Sequence, residues 1–243
     1  MRQQSVKSIL EHAEKDLSKI KVEYKSSLHS KEISSLLQID VKNLMENLRS
    51  ALDYIAHDIY ERVIKPDRIA AGEKEIKEIY FPYGKDENGF NSRLGACLPK
   101  LDILCPTAFK IIERIQPHKC GNDWLFNLCS ILNKNKHDQL SPQTREEKRG
   151  LKLDFAGGGG FMLGPSAVIK GTGRIISGRG VLDLKGNTIS GESPAQNLPP
   201  TIKQRIILWV GFRFAGTRIE VLPLLELATK EIKLTANLIY SAI

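Results

Sequence analysis

Residues 41–64 constrain the fold of this chain more than any other part of the sequence. Their apolar side chains recur at steps of three and four residues, which places them on one stripe of an α-helix. Asp40 is a suitable N-cap for this helix, and Pro66 is expected to end it. A long helix with one apolar stripe has to pack against other elements, so the sequence predicts a helical core around this segment.

Further helices are expected on both sides of the central one. Apolar spacing predicts them at about 4–26, 106–115 and 123–136, and from about Leu222 to the end of the sequence. Between about 151 and 215 the pattern changes to short β-branched or alternating runs separated by glycine, proline and serine, which indicates four or five mainly antiparallel strands. The expected fold class is α+β, an antiparallel helical bundle with an inserted, mainly antiparallel β-sheet before the C-terminal helix.

A single α+β domain over residues 1–243 explains this order most simply. It consists of a helical part at 1–140, a basic β-rich insertion at 141–219, and a C-terminal helix at 220–243 that packs back on the bundle. The connecting region carries weaker signals. IYFPYG at 79–84 predicts a short edge strand or an extended segment, and DENGFNSRLG at 86–95 predicts turn and loop.

Composition and charge restrict compartment and partners. No segment has the length or apolarity of a signal peptide or a transmembrane helix, so a cytoplasmic protein without membrane association is expected. The net charge is +8, and residues 141–219 contain 12 Lys and Arg against 5 Asp and Glu. This excess indicates either a binding surface for RNA or another polyanion, or an ordinary solvated basic surface.

No cofactor or metal is expected from the motifs. The glycine-rich stretch contains neither a P-loop nor a dinucleotide-binding GxGxxG pattern. The four cysteines are spaced unlike zinc ligands and are expected to be reduced packing residues. A set of His118, Cys120, Cys129 and His137 fits no standard zinc pattern, so no metal site is predicted.

Three polar residues on the central helix are the first candidate site. Arg49, Asp53 and His57 follow one another at four-residue steps, so their side chains can touch on one shoulder of the apolar stripe. Asp53 could orient the imidazole of His57 as a general acid or base, and Arg49 could hold a phosphate through two parallel hydrogen bonds. These groups suit metal-independent RNA cleavage, but an ion-pair ladder on a helix flank explains the same spacing.

The second candidate is the polar end of the helix at 123–136. Asn133, Lys134 and Lys136 are candidate phosphate-binding residues, and His137 is a further candidate acid or base. Lysines at a helix C-terminus also complement the helix dipole, which is a sufficient structural reason for their presence. Only the distance to Arg49 in the folded chain distinguishes these interpretations.

Several short strings resemble a known group of proteins. NLRSALDYIA at 47–56, YFP at 80–82, IQPH at 115–118 and LNKNKHDQL at 132–140 look like a widespread group of uncharacterised bacterial proteins with LRSALDxxA and DKHR-like motifs. The spacing of arginine and histidine on a long bundle helix is remotely similar to the HEPN superfamily, whose members include metal-independent ribonucleases. In the resemblance Arg49 matches the family arginine and Tyr54 stands where the group often has histidine.

The sequence is compatible with two functions. The first is a HEPN-like RNA-binding protein that could act as a metal-independent endoribonuclease of a toxin or defence system. The alternative is a non-catalytic partner-binding or scaffold module in which the polar residues of the central helix form a structural network. A homodimer is compatible with both, and enzymatic activity stays open at this point.

Overall fold

A computed structural model describes residues 2–27, 34–137, 143–156, 158–164, 166–178, 180–186, 188–191, 195–196 and 198–243. The chain divides into two compact units, a helical unit of residues 1–144 and 213–243 and a β-rich unit of residues 145–212. The α+β class predicted from the sequence is confirmed. No helix among the described residues is long and apolar enough to cross a membrane.

The helical unit is built around α2, Ser35–Ile59, which packs against α1, α8 and α9. The other helices are α1 Gln3–Ser27, α3 Lys65–Ala70, α4 Glu87–Cys97, α5 Leu101–Leu104, α6 Pro106–Arg114, α7 Pro117–Cys120, α8 Trp124–His137 and α9 Val221–Ala242. The apolar stripe of α2 is fully buried, as its periodicity predicts.

The start of α2 differs from the prediction. Ser34 is the N-cap, and its hydroxyl accepts the backbone N–H of Leu37 at 3.1 Å. The prediction of Asp40 as the N-cap is wrong because the apolar pattern extends back to Leu37, which is completely buried. A serine followed by an ambiguous SLLQ string did not give a clear helix start in the sequence.

The end of the central helix also differs, because Pro66 does not stop it. After Ile59 the chain forms a π-helical turn, Tyr60–Ile64, and continues directly into α3. The backbone N–H of Lys65 bonds to the carbonyl of Tyr60, five residues back. A proline ring clashes with the preceding turn of a regular α-helix, and the wider π turn just before Pro66 removes that conflict.

Residues 79–84 form neither helix nor strand, so the predicted edge strand is absent, and we refer to these residues as the extended segment. The prediction of turn and loop at 86–95 is wrong, because α4 occupies this segment. Asp86 caps it by accepting the backbone N–H of Gly89 at 2.8 Å, and Phe90 and Leu94 bury one face. Glycines at both ends of a short amphipathic run concealed the helix in the sequence.

The β-rich unit has its own small core. Its strands are β1 Gln143–Phe155, β2 Gly160–Leu163, β3 Val168–Lys170, β4 Arg174–Ser177, β5 Gly180–Asp183, β6 Thr188–Ser190 and β7 Ile202–Phe214. The strand order is β2-β1-β7 in one sheet, with two further pairs, β3-β6 and β4-β5. The pairs β1-β2, β3-β6 and β4-β5 are antiparallel, and Leu151, Leu153, Leu182 and Ile189 are buried between them.

Candidate functional site

Arg49 and Asp53 form the centre of the candidate site on α2. One helical turn separates them, and Nε of Arg49 donates to Oδ2 of Asp53 at 3.2 Å. Their side chains are 17% and 23% exposed. An ion pair this far buried is held more firmly than a solvent-exposed pair on a helix flank.

The second carboxylate oxygen of Asp53 is also occupied within the protein. Oδ1 accepts the backbone N–H of Phe81 at 2.8 Å, which ties the extended segment 79–84 to α2. An extended segment without strand pairing has no ladder to take up its backbone donors, so a side-chain acceptor satisfies one of them. Both oxygens of Asp53 therefore have protein donors.

The guanidinium of Arg49 has partners on two other elements. Its Nη1 nitrogen lies 2.7 Å from the sulfur of Cys129, a buried residue of α8. The central carbon of the same guanidinium lies 4.9 Å from the centre of the Tyr83 ring, in a cation–π contact. Arg49 thus connects α2, α8 and the extended segment.

The cluster contains one ion pair, between Arg49 and Asp53, beside the uncharged thiol of Cys129. Burial raises the pKa of Cys129 to about 11, although Arg49 opposes that change. Burial on its own would lower the pKa of Arg49, but Cys129 and Asp53 outweigh it and raise that pKa above its ordinary value. Since Cys129 is protonated at neutral pH, Asp53 is the anion that balances Arg49 there.

Tyr83 is the aromatic centre of the cluster and is almost fully buried. A second guanidinium, that of the exposed Arg93 on α4, lies 4.7 Å from its ring centre. Its hydroxyl accepts a hydrogen bond from Nδ2 of Asn133 at 2.9 Å, and its ring packs beside Phe126. Asn133, a predicted phosphate-binding residue, therefore lies in the same cluster as Arg49.

Gln116 holds the extended segment from the opposite side. Its side chain is completely buried, its Nε2 donates to the carbonyls of Pro82 and Ile112, and its Oε1 accepts the N–H of Gly84, each at 3.2 Å. A Cβ atom at Gly84 would overlap with the backbone nitrogen of Phe90, so only glycine permits this approach of the chain to α4.

His57 is not part of this network. It lies eight residues after Arg49 on α2, about 12 Å further along the helix axis. Its partly buried side chain makes no hydrogen bond or ion pair with any described residue. Asp53 therefore accepts hydrogen bonds from Arg49 and Phe81, and the predicted hydrogen bond from the imidazole of His57 to Asp53 is not formed among the described residues.

The remaining predicted site residues lie at the end of α8. Lys134, Lys136 and His137 belong to the helical backbone, but their side chains lie outside the described part of the structure. His137 is eight residues beyond Cys129, again about 12 Å along the axis from the contact with Arg49. Their roles as substrate-binding and catalytic residues stay predictions.

Comparison with known proteins assigns this chain to no family. No family model, no curated protein and no solved structure matches the chain. The resemblance to LRSALDxxA proteins and to the HEPN superfamily therefore rests on the quoted strings and stays a prediction.

Sequence reasoning missed Cys129, Tyr83, Arg93 and Gln116 as members of the cluster. Gln116 and Tyr83 lie in or beside strings that the resemblance singled out, so a signal existed for both. The sequence contained no such signal for Cys129, because a cysteine on the apolar face of a helix is normally a packing residue. Potential metal ligands are grouped elsewhere among the described residues, where Glu87, Glu113 and His118 lie together.

Proposed function

We propose that this chain is a HEPN-like RNA-binding protein that binds RNA through its basic β-rich unit and does not cleave it. The observation that carries this proposal is a set of exposed lysines in that unit that have no acidic partner among the described residues. Lys170, Lys185 and Lys203 are exposed and form no ion pair with the described residues. Unpaired surface cations are the groups that neutralise RNA phosphates and release counterions on binding.

Backbone pairing brings two of these lysines to one edge of the β-rich unit. The N–H of Gly186 donates to the carbonyl of Gly171 at 2.9 Å, so the turn that carries Lys185 lies beside the end of β3 that carries Lys170. Lys185 has a φ of 45°, a left-handed conformation that belongs to a tight turn. Such a turn projects its side chain away from the sheet, where a phosphate backbone can approach.

Two described carboxylates of the unit, those of Asp154 and Asp183, pair with other cations and do not compensate these lysines. Asp154 pairs with Arg205 at 2.6 Å and with Lys152 at 3.4 Å, and these cations hold the pKa of its carboxyl below the ordinary value. Asp183 lies 3.6 Å from Arg174 across the β4-β5 pair. The remaining positive charge is free to act on an external polyanion.

The geometry of the helical unit supports binding without catalysis. Metal-independent RNA cleavage needs an acid or base within reach of a cation that stabilises the phosphorane. Arg49 forms an ion pair with Asp53, a hydrogen bond with Cys129 and a cation–π contact with the Tyr83 ring. His57 lies on a different part of α2. This arrangement favours the structural network of the alternative prediction for the central helix.

The decisive experiment measures RNA affinity against salt concentration. Fluorescence anisotropy with a labelled single-stranded RNA should show affinity that falls steeply as salt rises. The variant Lys170→Glu/Lys185→Glu/Lys203→Glu should bind more weakly, and the slope of log affinity against log salt should decrease by about 2, since each lost phosphate contact removes about 0.7. Lys110→Glu, at an exposed lysine of the helical unit that forms no ion pair with the described residues, is the control and should bind as the wild type does.

Two other results would replace the proposal. RNA cleavage in EDTA that disappears in His57→Ala or His137→Ala would favour the metal-independent endoribonuclease. Absence of salt-dependent RNA binding would favour the non-catalytic partner-binding or scaffold module.

A further inference from the structure

We propose that Glu87, Glu113 and His118 form a binding site for a first-row divalent cation such as Zn²⁺. The three residues come from α4, α6 and α7, and one ligand atom of each lies within 4.8 Å of the other two. This site belongs to the helical unit, is separate from the Arg49 cluster, and does not depend on RNA binding.

His118 supplies the observation that points to a ligand. Both ring nitrogens are inaccessible to solvent, and neither has a hydrogen-bond partner among the described residues. The nearest acidic atom, Oε1 of Glu113, lies 3.9 Å from Nε2, beyond hydrogen-bond distance. A buried polar group without a partner costs free energy, and a bound cation would satisfy one of these nitrogens.

The donor set suits a cation of the zinc type. Zn²⁺ binds imidazole nitrogen and carboxylate oxygen at about 2.0–2.2 Å, which places neighbouring donors about 3.4 Å apart in a tetrahedron. The three ligand atoms lie within 4.8 Å of one another, so they need to approach by at most about 1.4 Å to reach that separation, a movement that rotation of the two glutamate side chains can supply. Three protein ligands leave one position for water or for another molecule.

A ring contact and a hydrogen bond connect His118 and its neighbours to α4. The ring of His118 packs against Phe90, with 5.6 Å between the ring centres. Phe90 lies on α4 one turn after Glu87, and Gln116 joins the turn before α7 to Gly84 just before α4. The same contacts that anchor the extended segment therefore bring a residue of α4 to the histidine of α7.

Lys119 competes with a bound cation for the carboxylate of Glu113. Its Nζ lies 3.2 Å from Oε1 of Glu113, so it neutralises one of the two carboxylates in the metal-free chain. Lys119 is 46% exposed and can swing into solvent when a divalent cation takes its place. Removal of this lysine should therefore increase cation affinity, which is the opposite of what loss of a ligand does.

The experiment titrates the full chain with Zn²⁺ in a competition assay against a chromophoric chelator. His118→Phe preserves packing on Phe90 and removes the two ring nitrogens without a partner, so it should melt in EDTA at or above the temperature of the wild type, and Glu113→Gln, which preserves shape, should melt close to it. Each should lose at least about 100-fold in Zn²⁺ affinity, because even second-shell changes at metal sites cost 10–100-fold. Lys119→Met should bind Zn²⁺ more tightly than the wild type.

Co²⁺ distinguishes this site from adventitious binding to cysteine. The Co²⁺-loaded chain should show d–d absorption without a thiolate-to-metal charge-transfer band, and Cys120→Ser should bind as the wild type does. The inference is overturned if the wild type binds no Zn²⁺ at millimolar concentration. It is equally overturned if His118→Phe and Glu113→Gln keep wild-type affinity, or if a thiolate band accompanies Co²⁺ binding.

Discussion

Asp53 and Phe81 are 28 positions apart in the sequence, and Oδ1 of the Asp53 carboxylate accepts the backbone N–H of Phe81 at 2.8 Å. Gln116 makes the corresponding connection from the other side, through the carbonyl of Pro82. Three separate strings, ALD on α2, FP in the extended segment and QP at the start of α7, are therefore parts of one hydrogen-bonded assembly. That assembly gives these residue types a structural role that does not require catalysis.

The first prediction concerns the stability of this assembly. Asp53→Ala leaves the half-buried Arg49 without its carboxylate and the N–H of Phe81 without its acceptor, so it should lower the free energy of unfolding by about 1–3 kcal/mol. For a chain of this length each kcal/mol corresponds to about 2–4 °C in the melting temperature. Calorimetry or thermal circular dichroism measures the change.

Glu46→Ala is the matched control for Asp53→Ala. Glu46 lies on the same shoulder of α2, and its side chain is 41% exposed and paired only with Lys42 among the described residues. Its removal should change the unfolding free energy by no more than about 0.5 kcal/mol. Equal melting temperatures for Asp53→Ala and the wild type would show that the carboxylate is not a structural tie.

The second prediction concerns Gln116. Gln116→Leu keeps the volume of the side chain but leaves the N–H of Gly84 and the carbonyl of Pro82 unpaired inside the protein, which should cost about 2–4 kcal/mol. Hydrogen exchange provides a local readout, since the amide of Gly84 should lose protection more than amides of α9. Unchanged protection at Gly84 in this variant would contradict the proposed anchoring.

The third prediction concerns the pH dependence of stability. Burial raises the pKa of Cys129 to about 11, whereas an unfolded thiol titrates near about 8.5. The folded state therefore holds this proton more tightly than the unfolded state. The contribution to stability is complete below about pH 8.5 and is lost as pH rises toward 11, by up to about 1.4 kcal/mol per pH unit.

Cys129→Ser removes this titration and provides the comparison. Urea unfolding at about pH 7.5 and about pH 10.5 should show a larger loss for the wild type than for Cys129→Ser. Cys120→Ser, at an exposed cysteine, should follow the wild type. Parallel losses for all three chains would mean that Cys129 titrates in the folded protein as it does in the unfolded one.

The helices that carry the bundle core could be predicted because their apolar residues repeat over many turns. The helices α1, α2 and α9 contain 25, 25 and 22 residues, and each carries one apolar face along most of its length. The short helix α4 could not be predicted, because its glycines and polar residues leave Phe90 and Leu94 as its only large apolar residues. The π turn was equally hidden, because a proline in a helical pattern normally indicates an end.

The candidate site was predictable only where neighbours in space are neighbours in sequence. Arg49 and Asp53 are one turn apart, so their ion pair followed from helical periodicity. The partners Phe81 and Cys129 come from distant segments, and their contacts depend on how the helices pack. Spacing alone also suggested that Asp53 would bind His57, but an arginine and a backbone amide occupy both of its oxygens.

The π turn at Tyr60–Ile64 sets the direction in which the chain leaves the central helix. A π turn holds one residue more than the α-helical turn it replaces, so it takes up one residue without changing the phase of the helix that follows. If the same residues formed a regular α-helix, Lys65 and α3 would be rotated by about 100° about the axis relative to α2. The ion pair of Lys65 with Glu75 and the hydrogen bond from the N–H of Ile76 to the hydroxyl of Tyr60 would then be out of phase. A chain that lacks one of these five residues can therefore form an unbroken α-helix and keep α3 in place.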